Sequence, residues 1–213
     1  MYHGEVHAGF PKHPHRGFET VTIARCGFVD HSDSLGAAGR FGGGDVQWMT
    51  AGKGISHSEM FPLLKSAERN RAELFQIWLN LPAKSKMAEP FFTMLWAESI
   101  PKLTAEEGVE VAVVAGRVEG TVPALPPPCP PSSWAQEPGA DVAIITVKLA
   151  PGKGWTLPAS APGLNRAVYF FVGPNTASVG DKSVPVGVKV DCASDQPLPL
   201  ANTGDKAAEF LVR

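Results

Sequence analysis

Two short motifs in the N-terminal half carry side chains able to bind a metal ion. His13 and His15 stand two residues apart around Pro14, and His57 and Glu59 repeat the same spacing. In an extended strand, residues i and i+2 point to the same face, so each motif would present two ligand atoms to one side. Two neighbouring strands of this kind would bring three imidazole nitrogens and one carboxylate oxygen to a single point.

The composition of this donor set predicts an open metal site. Nitrogen and oxygen ligands without cysteine suit Fe(II), Mn(II), Ni(II), Cu(II) or Zn(II), and they differ from the thiolate ligands of structural zinc. Four protein ligands on an octahedral ion leave two positions for water, dioxygen or a chelating substrate. One HxH motif alone is more often a pair of surface histidines at a turn. The combination of HxH with HxE in a β-rich chain favours the metal site.

Strand-like segments dominate the rest of the chain and must position these motifs. Helical periodicity is confined to short turns near 63–70 and 84–88. The chain holds 22 Gly and 20 Pro in 213 residues, which favours many short strands and turns. Apolar, β-branched and aromatic runs predict strands over 18–24, 45–49, 73–81, 91–96, 109–116, 141–150, 166–173 and 208–213. This pattern predicts an all-β sandwich or barrel.

A short internal repeat indicates two copies of one β fold. Residues 13–27 align without a gap on 159–173, and each segment runs from a turn glycine through a large apolar residue into a strand. In the second copy, Ala159 and Ala161 stand where the first copy has its HxH histidines. All six histidines lie within the first 57 residues. Imidazole chemistry is therefore expected in the first half, with the division near 98–108.

Several polar and aromatic residues near the motifs have both a chemical and a structural interpretation. Glu19 would orient a ligand imidazole or join a strand salt bridge. His31, beside Asp33, would be a fifth donor, although a turn with local hydrogen bonds is the commoner role of such a stretch. Trp48 and Met49 would line a substrate pocket or belong to the core.

A proline-rich stretch over 122–134 interrupts the second half. Its composition predicts an extended, polyproline-like surface loop between strands. Docking of a proline-recognising module is the alternative.

Composition argues against several classes of partner. The net charge is −2, with 19 Lys and Arg against 21 Asp and Glu, and no basic cluster is present, so direct binding of nucleic acid is not expected. Three cysteines without a CxxC spacing favour a reducing, intracellular compartment. No stretch approaches the length of a membrane span, and the first residues show no signal pattern. We therefore expect neither nucleic acid nor a membrane as a partner.

Longer stretches around the two motifs resemble a known family. The segments "GFPKHPHRGFETVTI" (9–23), "HSDSLGAAGRFGGGDVQWMTAGKGISHSEM" (31–60) and "FQIWLNLP" (75–82) closely resemble the pirin family of the cupin superfamily. The resemblance implies a bicupin fold of two antiparallel β-barrels. The N-terminal cupin domain would span 1–100 and carry the metal site, and a C-terminal cupin-like domain without metal ligands would span 101–213.

The resemblance also implies the ligands and the ion. Pirins hold a single iron through an HxH pair and an HxE pair, and Fe(II) is the implied ion, although other divalent transition metals suit the same donors. The ligands here would be His13, His15, His57 and Glu59. Pirins extend beyond both ends of this chain, so the ends look shortened and the second domain is expected to be incomplete, with exposed sheet edges.

Two functions follow from the resemblance. Some pirins resemble quercetin 2,3-dioxygenases, which cleave flavonols with O2, and this implies a small aromatic chelating substrate with Glu59 as a catalytic base when it detaches. Animal members look like iron-dependent transcriptional co-regulators, which implies instead a redox-sensing protein that binds a transcription factor or an enzyme. We expect a monomer in the cytoplasm, with the nucleus as a further location.

Overall fold

Antiparallel β-strands make up nearly all of the structure, a computed structural model of the chain. It describes residues 2–4, 8–103, 105–118, 129–137 and 139–213. The all-β class predicted from the sequence is confirmed. Short apolar runs, each ended by Gly, Pro, Asn or Asp, favour strands over helices, because a packed helix needs a longer run with a 3.6-residue period.

Helical structure in the described residues is limited to two single turns of 3-10 helix, Ala83–Ser85 and Trp134–Gln136. The helical turn predicted near 63–70 is wrong. The Asn70 side chain closes a loop there, since it accepts a hydrogen bond from the Lys65 N–H (2.8 Å) and donates one to the Lys65 carbonyl (2.8 Å). Across the part of the chain that the structure describes, no helix is both long enough and apolar enough to cross a membrane.

The chain divides into two compact units. The first contains Met1–Ser99 together with Pro128–Glu137, and the second contains Ile100–Pro127 together with Pro138–Arg213. Each unit is a pair of antiparallel sheets. In the described residues the two sheets of a unit stay separate, without closing through hydrogen bonds into one ring. This is the two-sheet, jelly-roll form of a cupin fold.

The first unit has a five-stranded sheet and a four-stranded sheet. In spatial order the larger sheet contains β1 (Tyr2–Gly4), β8 (Asn70–Asn80), β3 (Phe18–Cys26), β6 (Val46–Thr50) and β9 (Phe91–Leu95). The smaller sheet contains β2 (Ala8–His15), β7 (Ile55–Phe61), β4 (Phe28–Asp33) and β5 (Ala38–Gly42). Both histidine motifs therefore lie in the smaller sheet, on the neighbouring strands β2 and β7.

The inner faces of these two sheets meet through polar and aromatic contacts. Gln47 on β6 reaches His31 on β4, with Nε2 2.9 Å from Nδ1. Gln76 on β8 donates to Glu59 on β7 at 3.2 Å. The ring of Phe92 on β9 stacks on that of His31, with centroids 4.8 Å apart. The space between the sheets is thus lined by polar side chains around the histidines.

The second unit has a six-stranded and a four-stranded sheet around an aliphatic core. In spatial order the larger sheet contains β10 (Lys102–Leu103), β11 (Val109–Ala115), β12 (Ile144–Leu149), β19 (Ala208–Val212), β14 (Arg166–Val172) and β17 (Val188–Cys192). The smaller sheet contains β13 (Gly154–Leu157), β18 (Leu198–Ala201), β15 (Thr176–Val179) and β16 (Lys182–Pro185). Phe170 and Phe210 stack in its core with centroids 5.0 Å apart.

The two segments of the internal repeat form interior strands, and each strand follows a turn that contains a glycine with positive φ. β3 lies between β8 and β6, and β14 lies between β19 and β17. Gly17 precedes β3 with φ +77°, and Gly163 stands three residues before β14 with φ +80°. A left-handed backbone at these turns favours glycine, because a Cβ atom would be strained there. Ala159 and Ala161 lie outside the strands of the second unit.

Glu19 is a fully buried carboxyl group held by two hydroxyls. Strand alternation puts it on the opposite face of β3 from Thr22, which contacts Gln76 inside the sandwich. Its oxygens accept hydrogen bonds from Thr50 Oγ (2.6 Å) and Ser133 Oγ (2.7 Å). Burial raises the pKa of Glu19, and these hydroxyls oppose the rise. Neither a ligand imidazole nor a cation is among these partners, so both interpretations of Glu19 drawn from the sequence are replaced.

The proline-rich stretch is not a plain surface loop where it is described. Ser133 is 4% exposed and its hydroxyl closes the Glu19 network. The surface-loop prediction is therefore wrong at this end of the stretch, because a buried carboxyl group needs hydrogen-bond donors and Ser133 supplies one. The part of the prediction that falls on residues 122–128 lies outside the described residues.

Ser133→Ala is expected to lower the free energy of unfolding by about 1–3 kcal/mol, because it leaves a buried carboxyl oxygen without its donor. Chemical denaturation measures this difference. Ser132→Ala is the matched control, since the Ser132 side chain is partly exposed. Equal unfolding free energies for the two variants would contradict the role given to Ser133.

Candidate metal centre

Strand register brings the two motifs together. β2 and β7 pair in antiparallel fashion, with His13 directly opposite His57. A register shift between Phe10 and His13 marks a bulge just before the first motif. Such a bulge twists the strand and re-aims the side chains that follow. On the other side of β7, strand β4 places His31 opposite Glu59.

Three imidazole nitrogens converge at hydrogen-bond distance. His13 Nε2 lies 3.1 Å from His15 Nε2 and 3.0 Å from His57 Nε2. Two nitrogens that each bind one ion at about 2.1 Å and at right angles lie about 3.0 Å apart. The two distances from His13 Nε2 therefore fit ligands on adjacent positions of one ion, and ligand atoms of all three histidines lie within 4.8 Å of one another.

Glu59 lies beside this cluster with one oxygen uncommitted. Its side chain is 2% exposed. Oε2 accepts a hydrogen bond from Gln76 Nε2 at 3.2 Å, whereas Oε1 is buried without a hydrogen-bond partner. A buried carboxylate oxygen without a partner is costly unless a cation faces it. Ligand atoms of Glu59, His57 and His31 all lie within 4.8 Å of one another, so His57 is shared by two potential ligand groups.

Burial favours the neutral form of His15 and His57, which is the form of an imidazole that binds a metal. Burial, reinforced by His13, His15 and His31, lowers the pKa of His57 to about 3. Burial, with a smaller effect of His13, also lowers the pKa of His15. Burial raises the pKa of Glu59, although Gln76 and His13 oppose that shift. A metal binds a neutral imidazole through its lone pair, so the lowered pKa values favour metal binding near neutral pH.

His31 is a residue of this site that the sequence analysis considered as a fifth donor, although it favoured a turn with local hydrogen bonds. The local hydrogen bond to Asp33 was predicted and is present, with Nε2 3.1 Å from Oδ2. However, His31 lies within strand β4, where its ring contacts His57. The signal in the sequence was the spacing: His31 and Asp33 stand at i and i+2, as do the residues of both predicted motifs. Burial lowers the pKa of His31, and Asp33 opposes the shift.

Two glutamines and a tryptophan complete the surroundings. Gln47 and Gln76 reach the cluster from the facing sheet, and an isolated glutamine within an apolar strand was the only signal for them. Trp78 lies beside His15, with ring centroids 5.8 Å apart, and donates from Nε1 to Gln76 Oε1 at 3.0 Å. Trp48, by contrast, is fully buried and belongs to the core.

Two antiparallel sheets that enclose clustered histidines and a carboxylate define a protein of the cupin class. A sequence model of the pirin family matches residues 1–79. A pirin-like protein of Caulobacter vibrioides is 47% identical over 111 residues, which cover 52% of this chain and 39% of that protein. A quercetin 2,3-dioxygenase of Acinetobacter baumannii is 30% identical in its crystal structure, with a TM-score of 0.79, and the match covers 98% of this chain and 69% of that one. The chain belongs to the pirin family.

The length covered and the sequence identity decide which properties of the relatives bear on this chain. The chain spans about two fifths of the length of the curated relatives it matches, 39% in the Caulobacter protein. The bacterial pirin YhhW of Escherichia coli, whose crystal structure is a complex with nickel(II), matches with a TM-score of 0.63 at 20% identity, over 96% of this chain and 75% of that one. At that identity the likeness to YhhW concerns the fold alone.

In the metal-free protein, the melting temperature is expected to fall as the pH is lowered from 6.5 towards about 5. The unfolded chain protonates His57 near its ordinary pKa of 6.5, whereas the folded ring, with a pKa of about 3, does not. Acid therefore favours the unfolded state across this window. His57→Gln removes one such group and should give a shallower dependence in thermal melts with chelator. Parallel melting curves for both proteins would contradict the assigned burial effect.

Proposed function

We propose that this chain holds one divalent transition metal, most suitably Fe(II), with His13, His15, His57 and Glu59, and uses it for a dioxygenase reaction of the quercetin 2,3-dioxygenase type. The observation that carries the proposal is that His13 Nε2 lies 3.1 Å from His15 Nε2 and 3.0 Å from His57 Nε2. Glu59, whose Oε1 is buried without a hydrogen-bond partner, also has a ligand atom within 4.8 Å of His57. Family membership and the likeness to the Acinetobacter quercetin 2,3-dioxygenase support the reaction class.

The residues of the site have separable roles in this proposal. A redox-active divalent ion bound there would supply the electron transfer that dioxygen chemistry requires, which favours iron over zinc. The three histidines would hold the ion through Nε2. Glu59 binds through Oε1 while Gln76 holds Oε2 in place. When Glu59 detaches, its carboxylate can take a proton from a phenolic hydroxyl, and its raised pKa helps it keep that proton.

Exposed aromatic side chains at the edge of the cluster support a flat aromatic substrate. Trp78 is 62% exposed, and its ring lies 5.8 Å from His15 and 4.8 Å from Phe18. Phe10 is 51% exposed and makes an edge contact with the His13 ring at 6.2 Å. Aromatic rings prefer offset or edge-on contacts with other rings, so this border suits a flavonol-like ligand with chelating oxygens.

The domain assignment belongs to the same proposal. The first cupin domain corresponds to residues 1–100 and the second to 101–213. Both groups of potential ligands found among the described residues lie in the first unit, and the core of the second is aliphatic. These observations support a single metal site per chain.

His57→Ala is expected to weaken metal affinity by at least about a hundredfold, since even residues that only support ligands cost 10- to 100-fold. Metal analysis and titration with Fe(II) under anaerobic conditions measure this loss. Oxygen uptake with quercetin should require about one iron per chain and should disappear in the same variant. Ser58→Ala, on the same strand between the two ligands, is the matched control and should behave as the unmodified protein.

The two parts of the proposal fail separately. Less than about a tenth of a metal ion per chain after loading would contradict the metal site itself. Full iron occupancy without oxygen uptake above the His57→Ala background would contradict the dioxygenase reaction. That second result would favour the iron-dependent regulator, whose binding of a protein partner would differ between Fe(II) and Fe(III).

Trp78→Ala is expected to raise the KM for quercetin about two- to tenfold, because aromatic contacts contribute about 0.5–1.5 kcal/mol. Iron stoichiometry should not change. Trp78→Phe keeps a ring and should lie between the two. Trp96, also exposed, provides the control Trp96→Ala. An equal change in KM for Trp96→Ala and Trp78→Ala would rule out a specific role of Trp78.

A further inference from the structure

Two buried residues lie behind His57, on the side opposite its neighbour His13. His31 Nδ1 lies 3.3 Å from His57 Nδ1, and His31 Nε2 lies 3.1 Å from Asp33 Oδ2. We infer that Asp33 and His31 are positioning residues that hold His57 in the tautomer whose Nε2 lone pair is free to bind metal. This inference deepens the proposed function, because it rests on the proposed metal site.

Backbone hydrogen bonds hold the Asp33 carboxylate in one orientation. Its Oδ1 accepts from the N–H groups of Leu35 (2.8 Å) and Ala37 (3.1 Å). The side chains of Asp33 and His31 are both 0% exposed, so water does not compete for their contact. A carboxylate accepts hydrogen bonds and does not donate them. His31 therefore carries its proton on Nε2, facing Asp33 Oδ2.

The position of the proton on His31 determines which nitrogen of His57 carries a proton. A neutral imidazole that donates from one nitrogen accepts at the other, so His31 Nδ1 is an acceptor. Gln47 Nε2, an amide donor, faces it at 2.9 Å, and His57 Nδ1 lies 3.3 Å away. A second bare nitrogen at that distance would set two lone pairs against each other, so His57 Nδ1 carries a proton. The orientation of the Gln47 amide leaves its Oε1 buried without a partner. His57 thus holds its proton on Nδ1, and its bare Nε2 lies 3.0 Å from His13 Nε2.

A direct ligand role for His31 fits these contacts less well. His31, His57 and Glu59 do have ligand atoms within 4.8 Å of one another. However, Nε2 of His31 is committed to Asp33, and Nδ1 already faces two donors. Support of a metal-binding histidine by a carboxylate beyond it is a common arrangement, which fixes the ring and its tautomer. Here the support passes through a second imidazole.

Asp33→Asn is expected to reverse the tautomers of His31 and His57, because the new side chain has the same size but donates where the carboxylate accepted. The Leu35 and Ala37 N–H groups keep the side-chain oxygen in its place, so the new amide nitrogen faces His31 Nε2 and makes it an acceptor. His31 then carries its proton on Nδ1, and the Gln47 amide turns so that its Oε1, now without a partner, faces that proton. His57 Nδ1 faces the same N–H, becomes an acceptor, and its proton moves to Nε2. Zinc(II) affinity, measured by titration, is expected to fall about 10- to 100-fold with unchanged stoichiometry. Nitrogen NMR of metal-free protein labelled with 15N-histidine should show the His57 proton moving from Nδ1 to Nε2.

Asp30→Asn is the matched control on the same strand. It makes the same change in charge, but Asp30 bonds Arg40 at 2.6 and 2.7 Å. Its zinc affinity and His57 tautomer should equal those of the unmodified protein. A metal-free, unmodified protein with the His57 proton on Nε2 would overturn the inference, as would zinc-induced shifts on the His31 nitrogens equal to those of His57. If no zinc binds at all, the proposed function fails, and the metal-free spectrum still decides the tautomer.

Discussion

Histidines at hydrogen-bond distance are the constraint on which the polar interior of the first unit depends, since His13 Nε2 lies 3.1 Å from His15 Nε2 and 3.0 Å from His57 Nε2. Burial lowers the pKa of His15 and of His57, because charged rings would lose hydration and repel one another at this distance. Neutral rings in turn present lone pairs towards one another. A shared cation would remove that conflict. Glu59, whose Oε1 is buried without a hydrogen-bond partner, has a ligand atom within 4.8 Å of His57.

The rest of the sandwich adapts to this polar centre. Glutamines of the larger sheet point inwards at positions where a sandwich of this size would otherwise place aliphatic side chains, and each bonds a group of the smaller sheet. The second unit shows the alternative, because there the equivalent space is filled by valine, leucine and phenylalanine. The two units thus share a two-sheet fold, but the interior of the first is polar and that of the second is apolar.

Polar burial also occurs outside the metal centre, with a different purpose. The Glu19 carboxyl group sits on the other face of β3 and is satisfied by the hydroxyls of Thr50 and Ser133. Its partner Ser133 comes from a segment that returns to the first unit after the chain has entered the second. The network therefore ties that segment to the sheet. Strand β6 contributes to both groups, since its Gln47 contacts His31 and its Thr50 bonds Glu19.

The sequence by itself determined the eight strands with long apolar runs and the shared faces of the ligand pairs. The tertiary structure decided the other strands, β2 and β7 among them, and which strands are partners. Alternation along a strand has a period of two, so the shared faces of His13 with His15 and of His57 with Glu59 followed from spacing alone. The division of the histidines between the halves was equally visible. Which strands are neighbours is a matter of register and sheet order, and these depend on the packing of the whole unit. The pairing of β4 with β7 is what places His31 at the site. In the same way, Ser133 bonds Glu19 although the two residues are 114 positions apart in the sequence. Contacts across such separations follow from the closure of the sandwich and leave no local pattern.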